Sequence, residues 1–294
     1  MLALPTARPA VTRASPHSGA ADGRDPARLA DLPLQQLLER AVLSETTLYG
    51  IAVQHLVTGE AAAVRAERRY ESASLYKLAV LYEVYRQHQR GELPWNALLT
   101  VTPRHMALEL VSPWAAVGRT ISAQEATELM ITRSDNTAGA LLWTRVGQAQ
   151  INQSMAEIGL ADTRLDWDSY TTPADMARFF ALAYRGDLVD PEASAAMLDL
   201  LARQEVNDRL PRLLPRGTRV AHKTGDLPGL THDVGLVYAP AGPFVLAVLT
   251  EWHGQASPHT AIAELARQVY DYFEARYGDD PPAGEPGPGP ASPQ

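Results

Sequence analysis

Strand character sits near the two ends of this chain and helix fills the middle, an order that only a few architectures accommodate. Residues 47–57 (TLYGIAVQHLV) alternate and are rich in β-formers; Thr58-Gly59-Glu60 reads as a turn, and a second strand follows over 61–66. Strand character returns only near 219, over 219–223, 232–238 and 244–250. Between these regions, helical spacing predicts 74–89, closed by Gly91, then 121–133, 136–146, 148–158, 173–185 and 191–203. Two more helices flank the strands: 27–43, with Leu29, Leu32, Leu37, Leu38 and Val42 on one face, and 258–276. Strands so far apart in sequence must meet in one sheet. The expected fold is α/β of the α+β kind: an antiparallel sheet flanked by the terminal helices, with an all-helical lobe inserted. One domain is expected over 27–278, with 27–90 and 216–278 in the sheet lobe and 91–215 in the helical lobe. Small-molecule sites form preferentially in clefts, and one is expected where the lobes meet.

The ends read differently. Residues 1–26 are rich in Ala, Pro, Arg, Ser and Gly and show no continuous apolar core of a secretory signal, so a disordered leader is expected. Residues 279–294 are dominated by Pro and Gly and read as a flexible tail. No apolar run approaches the roughly 18 residues of a membrane span. A net charge of −8 argues against a nucleic-acid partner. The chain has no cysteine, which excludes disulfides, a thiol nucleophile and thiolate metal sites. Its eight histidines form no ligand motif, so neither a metal nor another cofactor is expected.

Among 26 basic residues only Lys77 and Lys223 are lysine. Arginine stays protonated, whereas a buried lysine can lose its proton and act as a base. Both lysines fall in short motifs. Ser74-Leu75-Tyr76-Lys77 opens a predicted helix, where residues three apart share a face and the N-terminal N–H groups favour a developing oxyanion. Ser134-Asp135-Asn136 stands between two predicted helices, where such residues also serve as ordinary helix caps. Lys223-Thr224-Gly225 closes a predicted edge strand. Singly, each is a weak signal.

Together, in this order and on these elements, they are the S-x-x-K, S-D-N and K-T-G signature of class A β-lactamases and penicillin-binding proteins. The chain strongly resembles that superfamily from about 27 to 277, also through SASLYKLAVL, MITRSDNTAGALL and TTPADMA. The resemblance implies a serine hydrolase in which Ser74 is acylated, Lys77 takes its proton and Ser134 relays a proton to the leaving nitrogen. It further implies that Asn136 binds the substrate amide, that Lys223 and Thr224 hold the substrate carboxylate, and that the N–H groups of Ser74 and of Asp226, beside Gly225, form the oxyanion hole. The implied partner is a β-lactam or a peptidoglycan stem peptide, met outside the cytoplasm by a monomeric enzyme.

Two departures stand out. Class A β-lactamases carry a glutamate in E-x-x-L-N that activates the deacylating water. Here Arg164-Leu165-Asp166-Trp167-Asp168-Ser169-Tyr170 runs straight into Thr171-Thr172-Pro173 without it. Asp166 and Asp168 are the candidate substitute bases, and a long-lived acyl-enzyme is the expectation without one. That leaves a β-lactamase, a D,D-peptidase-like penicillin-binding protein and a non-catalytic sensor as readings. Asp226 adds a carboxylate beside Lys223-Thr224-Gly225 and should change substrate preference. His222 and His232 read as packing residues, and Trp114, Trp143 and Trp167 as core or cleft-wall aromatics. Glu109, Arg209 and Arg212 read as solvated, although the arginine pair lies where it could help hold a substrate carboxylate.

Overall fold

The computed structural model describes residues 33–278 except 45, 108–110, 167 and 255. The expected leader and tail, Leu29 and Leu32, Glu109 and Trp167 therefore lie outside the described residues. Helix α1 (Leu34–Ala41) leads into strands β1 (Thr47–His55), β2 (Ala61–Val64) and β3 (Tyr70–Glu71), then a 3-10 turn (Ala73–Leu75) and helix α2 (Tyr76–Gln89). The middle comprises β4 (Leu98–Thr100), α3 (Pro103–Met106), β5 (Thr120–Ser122), α4 (Ala123–Thr132), α5 (Asn136–Val146), α6 (Gln148–Glu157), β6 (Tyr170–Thr171), α7 (Pro173–Arg185) and α8 (Pro191–Leu201). Strands β7 (Arg219–Leu227), β8 (Leu230–Tyr238) and β9 (Phe244–Trp252) precede the final helix α9 (His259–Tyr277).

The main sheet has the order β2-β1-β9-β8-β7 and every neighbouring pair is antiparallel. First and last strands thus meet at its centre, as the sequence order requires, and β7 forms an edge. Strand alternation divides the apolar residues into two layers. Ile51, Val53, Phe244, Leu246 and Val248 pack with Leu37 and Leu38 of α1 and Val269 and Phe273 of α9. Val234, Leu236, Val245, Ala247 and Leu249 pack instead with Leu78 and Leu81 of α2 and Phe179 and Phe180 of α7. Each fully buried side chain of this size contributes about 2 kcal/mol from burial. The expected α+β architecture is the one observed.

Local rules explain the element ends. Asp135 caps α5 by accepting from the Ala138 N–H at 2.8 Å, and Thr172 caps α7 by accepting from the Asp175 N–H at 3.1 Å, ahead of Pro173. Strand β7 continues past Lys223 to Leu227, four residues beyond the sequence-based expectation. The run Thr224-Gly225-Asp226 breaks the apolar alternation, yet β8 pairs with it throughout, down to Leu227 opposite Leu230. Pro228-Gly229 turns the chain, with Gly229 at φ +79°, where glycine carries no steric cost. Strands β3 and β6, two residues each, were invisible to pattern reading; they tie the chain just before Ser74 to the segment around Tyr170.

Candidate active site

Ser74 lies in the 3-10 turn rather than at the first residue of the expected helix, which begins two positions later at Tyr76. The turn is held from both sides. Ser72 donates its N–H to the Ser169 carbonyl at 2.7 Å, and the Leu75 N–H returns to Ser72 O at 2.9 Å. Ala73 is left-handed, at φ 44°, a conformation costly for a residue with a Cβ and maintained by these anchors. Strand β7 passes so close that a Cβ on Gly225 would meet Ala73 Cβ at 3.2 Å and both Ser72 O and Ser74 N at 3.3 Å. Only glycine fits there without displacing the turn.

Lys77 is fully buried and its Nζ reaches across to the junction of α4 and α5. It lies 3.1 Å from Ser74 Oγ, 3.1 Å from Ser134 Oγ, 2.8 Å from Asn136 Oδ1 and 2.6 Å from the Ser134 carbonyl. Lys223, also fully buried, donates to the same Ser134 Oγ at 2.9 Å and to Thr224 O at 2.9 Å. Ser134 Oγ therefore stands between two amines, one from α2 and one from β7, on a residue with the left-handed φ of 56°. Burial, reinforced by the Lys223 charge, holds the Lys77 amine well below the usual lysine range, with Asp135 partly opposing. Burial pushes Lys223 down to about 7, and Asp233 pulls in the opposite direction. A neutral Lys77 has one lone pair, and Ser74 Oγ lies within hydrogen-bond reach of it: the arrangement can accept the serine proton.

Asp135, the middle residue of its motif, is structural. Besides capping α5 it accepts from the Trp114 indole N–H at 2.8 Å, fixing that partly buried ring beside the motif. Trp143 packs on Tyr76 with ring centroids 5.3 Å apart, as a core aromatic would.

Asp166 and Asp168 fall on exposed positions of a short loop. Reciprocal backbone bonds between Arg164 and Tyr170, 2.9 and 3.0 Å, pinch the loop shut, and Ser169 Oγ donates to Asp166 O at 3.0 Å. The Asp166 carboxylate stands 3.9 Å from Arg164 Nε. Lys77 spends its hydrogen bonds on Ser74, Ser134 and Asn136.

Arg209 overturns the solvated reading: it is 1% exposed. Its guanidinium meets Asp226 Oδ2 at 2.6 Å and Asp208 Oδ1 at 3.3 Å, and donates to the His232 carbonyl at 2.8 Å. The missed signal was the pair itself, an acid on β7 matched to a base in the loop before it. Arg212 is exposed and donates to Thr260 Oγ1 at 3.0 Å, in keeping with its surface reading. His232 Nδ1 accepts from the Thr250 N–H at 3.1 Å, which fixes the neutral tautomer and lets Nε2–H donate to Glu71 O at 2.8 Å. Burial accordingly holds its pKa below the usual histidine value. His222 bonds Asp233 at 2.8 Å and Asn207 at 3.1 Å. Both histidines are thus packing residues that also brace the loop and strands around the site. Among the described residues no group of three or more His, Cys, Asp or Glu is arranged to hold a metal ion.

An antiparallel sheet with helices on both faces, carrying a serine, two buried lysines and a bridging serine where α2, β7 and the α4–α5 junction meet, defines an active-site-serine hydrolase. Residues 33–273 match the family described as the β-lactamase enzyme family, and the chain belongs to it. It is 23% identical over 270 residues to the extended-spectrum β-lactamase PER-1 of Pseudomonas aeruginosa, spanning 81% of this chain and 87% of that protein. The solved structure of PBP-A is similar at TM-score 0.77 and 28% identity, covering 82% of this chain and 95% of that one. A PBP-A point mutant, solved as an acyl-enzyme complex with penicillin G, matches at TM-score 0.77 and 27% identity, covering 87% and 99%. The chain is a serine β-lactamase-like hydrolase.

Proposed function

We propose that this hydrolase forms an acyl-enzyme through Ser74 with β-lactams or D-Ala-D-Ala-type peptides and releases it slowly. The observation that carries the reading is Lys77 Nζ, buried, low in pKa and 3.1 Å from both Ser74 Oγ and Ser134 Oγ. In the first step Ser74 Oγ attacks the carbonyl carbon as its proton passes to neutral Lys77. The N–H groups of Ser74 and Asp226 receive the oxyanion. The C–N bond then breaks, the proton reaches the leaving nitrogen through Ser134 Oγ, and the acyl group stays on Ser74. Asn136 holds the substrate amide, and Lys223 with Thr224 the group beyond the scissile bond.

Slow release is inferred from the loop. The chain has no E-x-x-L-N glutamate, and the exposed Asp166 and Asp168 are the remaining carboxylates of that segment. Deacylation then depends on water without a well-positioned base. A D,D-peptidase-like activity is the second form of the same reading, favoured by this loop and by the likeness to PBP-A. The substrates of either form are met outside the cytoplasm, where we place the working enzyme, acting as a monomer.

Intact-mass spectrometry after mixing with benzylpenicillin tests the proposal. The expected result is an adduct of the drug's mass that persists from minutes to hours and does not form on Ser74→Ala. A fleeting adduct with drug hydrolysis would overturn slow release, and would direct attention to Asp166→Ala and Asp168→Ala. No adduct at any drug concentration would overturn acylation by β-lactams.

A further inference from the structure

The end of the cleft marked by Lys223 and Thr224 carries more negative charge than a carboxylate-binding site should. Asp226 shares a strand face with Thr224, two residues away. One of its oxygens is taken by Arg209 at 2.6 Å; the other lies 3.7 Å from His259 Nε2. Asp208 adds a second carboxylate, 3.3 Å from Arg209 and 3.4 Å from His259 Nδ1. The Arg209 side chain is only 2% exposed, whereas that of Asp226 is 52% exposed. An incoming carboxylate therefore meets the Asp226 carboxylate, not the guanidinium behind it. The Asp226 and Arg209 charges both act on Lys223, which places the pair at this end of the site. Arg209 is thus matched by Asp226 and outnumbered when Asp208 is included.

Resting on the acyl-transfer reading above, we propose that Asp226 is a specificity-determining residue: it covers Arg209 and rejects substrates bearing a free carboxylate just beyond the scissile bond, in favour of uncharged or cationic ones. A negative substrate group would displace Asp226 from Arg209 or sit against it, and like charges in contact are strongly disfavoured. Asp226 is half exposed, so solvent reduces that penalty, and discrimination of about tenfold is the scale to expect. A neutral ester, an amide or an ammonium-bearing group loses nothing at this end, and an ammonium gains a partner in Asp226. Benzylpenicillin, which carries a carboxylate, should therefore acylate Ser74 but do so well below the rate the Lys77 geometry would support.

A pair of thioesters tests this: an N-acyl-D-alanyl thioglycolate and its methyl ester, which differ in terminal charge and by a constant factor of intrinsic reactivity that the same comparison in each variant removes. The second-order rate constant for the burst of thiol release is measured for wild type, Asp226→Asn and Asp226→Ala, with the acyl adduct on Ser74 confirmed by mass. Asn removes the charge and keeps the shape, whereas Ala also uncovers Arg209; using the ratio within each protein cancels any general loss of activity. The expected result is a methyl-ester preference that is about tenfold larger in wild type than in Asp226→Asn, with a shift at least as large in Asp226→Ala. If both thioesters acylate Ser74 and the ratio is the same in all three proteins, the specificity proposal fails while acyl transfer stands. If neither forms an adduct with wild type, both readings are overturned.

Discussion

Lys77→Arg should slow acylation of Ser74 by about 10²–10⁴-fold, the usual contribution of a positioned general base. The substitution keeps a cation and a long side chain, and the chain uses arginine nearly everywhere else. It removes the ability to act as a neutral base, and it also exchanges a compact amine for a planar, bulkier guanidinium. Burial and the Lys223 charge hold the Lys77 amine well below the usual lysine range, which favours its neutral form, whereas a guanidinium stays charged. As pH falls through this lowered pKa, Lys77 gains a proton, loses its lone pair and the acylation rate drops. The acid limb of the profile for kcat/KM belongs to this group and should vanish in Lys77→Arg. For a carboxylate-bearing substrate a second limb is expected: Lys223, pushed down to about 7, loses its charge as pH rises through that value. A bell-shaped profile for the carboxylate thioglycolate ester, and a profile without the alkaline limb for its methyl ester, is the expected pair of results. Stopped-flow acylation between pH 5 and pH 9 distinguishes them; an unchanged rate in Lys77→Arg would remove Lys77 from the proton path.

The sequence made the cluster legible because its members are scarce or motif-bound. Two lysines in a chain of arginines, one three residues after a serine and one next to a threonine, could be picked out without a partner in view. The sheet could be inferred because strands at both ends of the chain have nowhere else to pair. What stayed hidden depended on distant partners. Arg209 looks like any surface arginine until the fold brings Asp226, Asp208 and the His232 carbonyl around it. Strands β3 and β6 are too short to show a period, yet they and the Ser72–Ser169 bond anchor the turn that carries Ser74. Asp135 shows why a motif and a bland reading need not compete. It caps a helix, as its residue type suggests, and the capped helix is what presents Asn136 to Lys77.

Asp233→Ala should cost about 2–4 kcal/mol of stability, the scale for removing a buried charged acceptor that serves two hydrogen bonds. Asp233 is fully buried, and its two oxygens do different work. Oδ1 faces His222 Nδ1 at 2.8 Å, while Oδ2 accepts from the Leu210 N–H at 3.0 Å. Alanine would leave both without that partner, loosening the loop that carries Arg209 where it meets β7 and β8. Asp233→Asn, which retains an acceptor for Leu210, should lose clearly less, so urea denaturation of the two variants separates lost bonding from lost volume. A second readout reaches the active site. Asp233 raises the Lys223 pKa against the effect of burial, so its removal should carry the Lys223 limb below about 7. The alkaline limb of acylation by the carboxylate thioester should then move toward acid in both variants, because both remove the charge. Movement in both, alongside unequal losses of stability, would show one aspartate serving fold and site through separate oxygens and a shared charge. A limb that stays in place while stability falls would confine Asp233 to the fold.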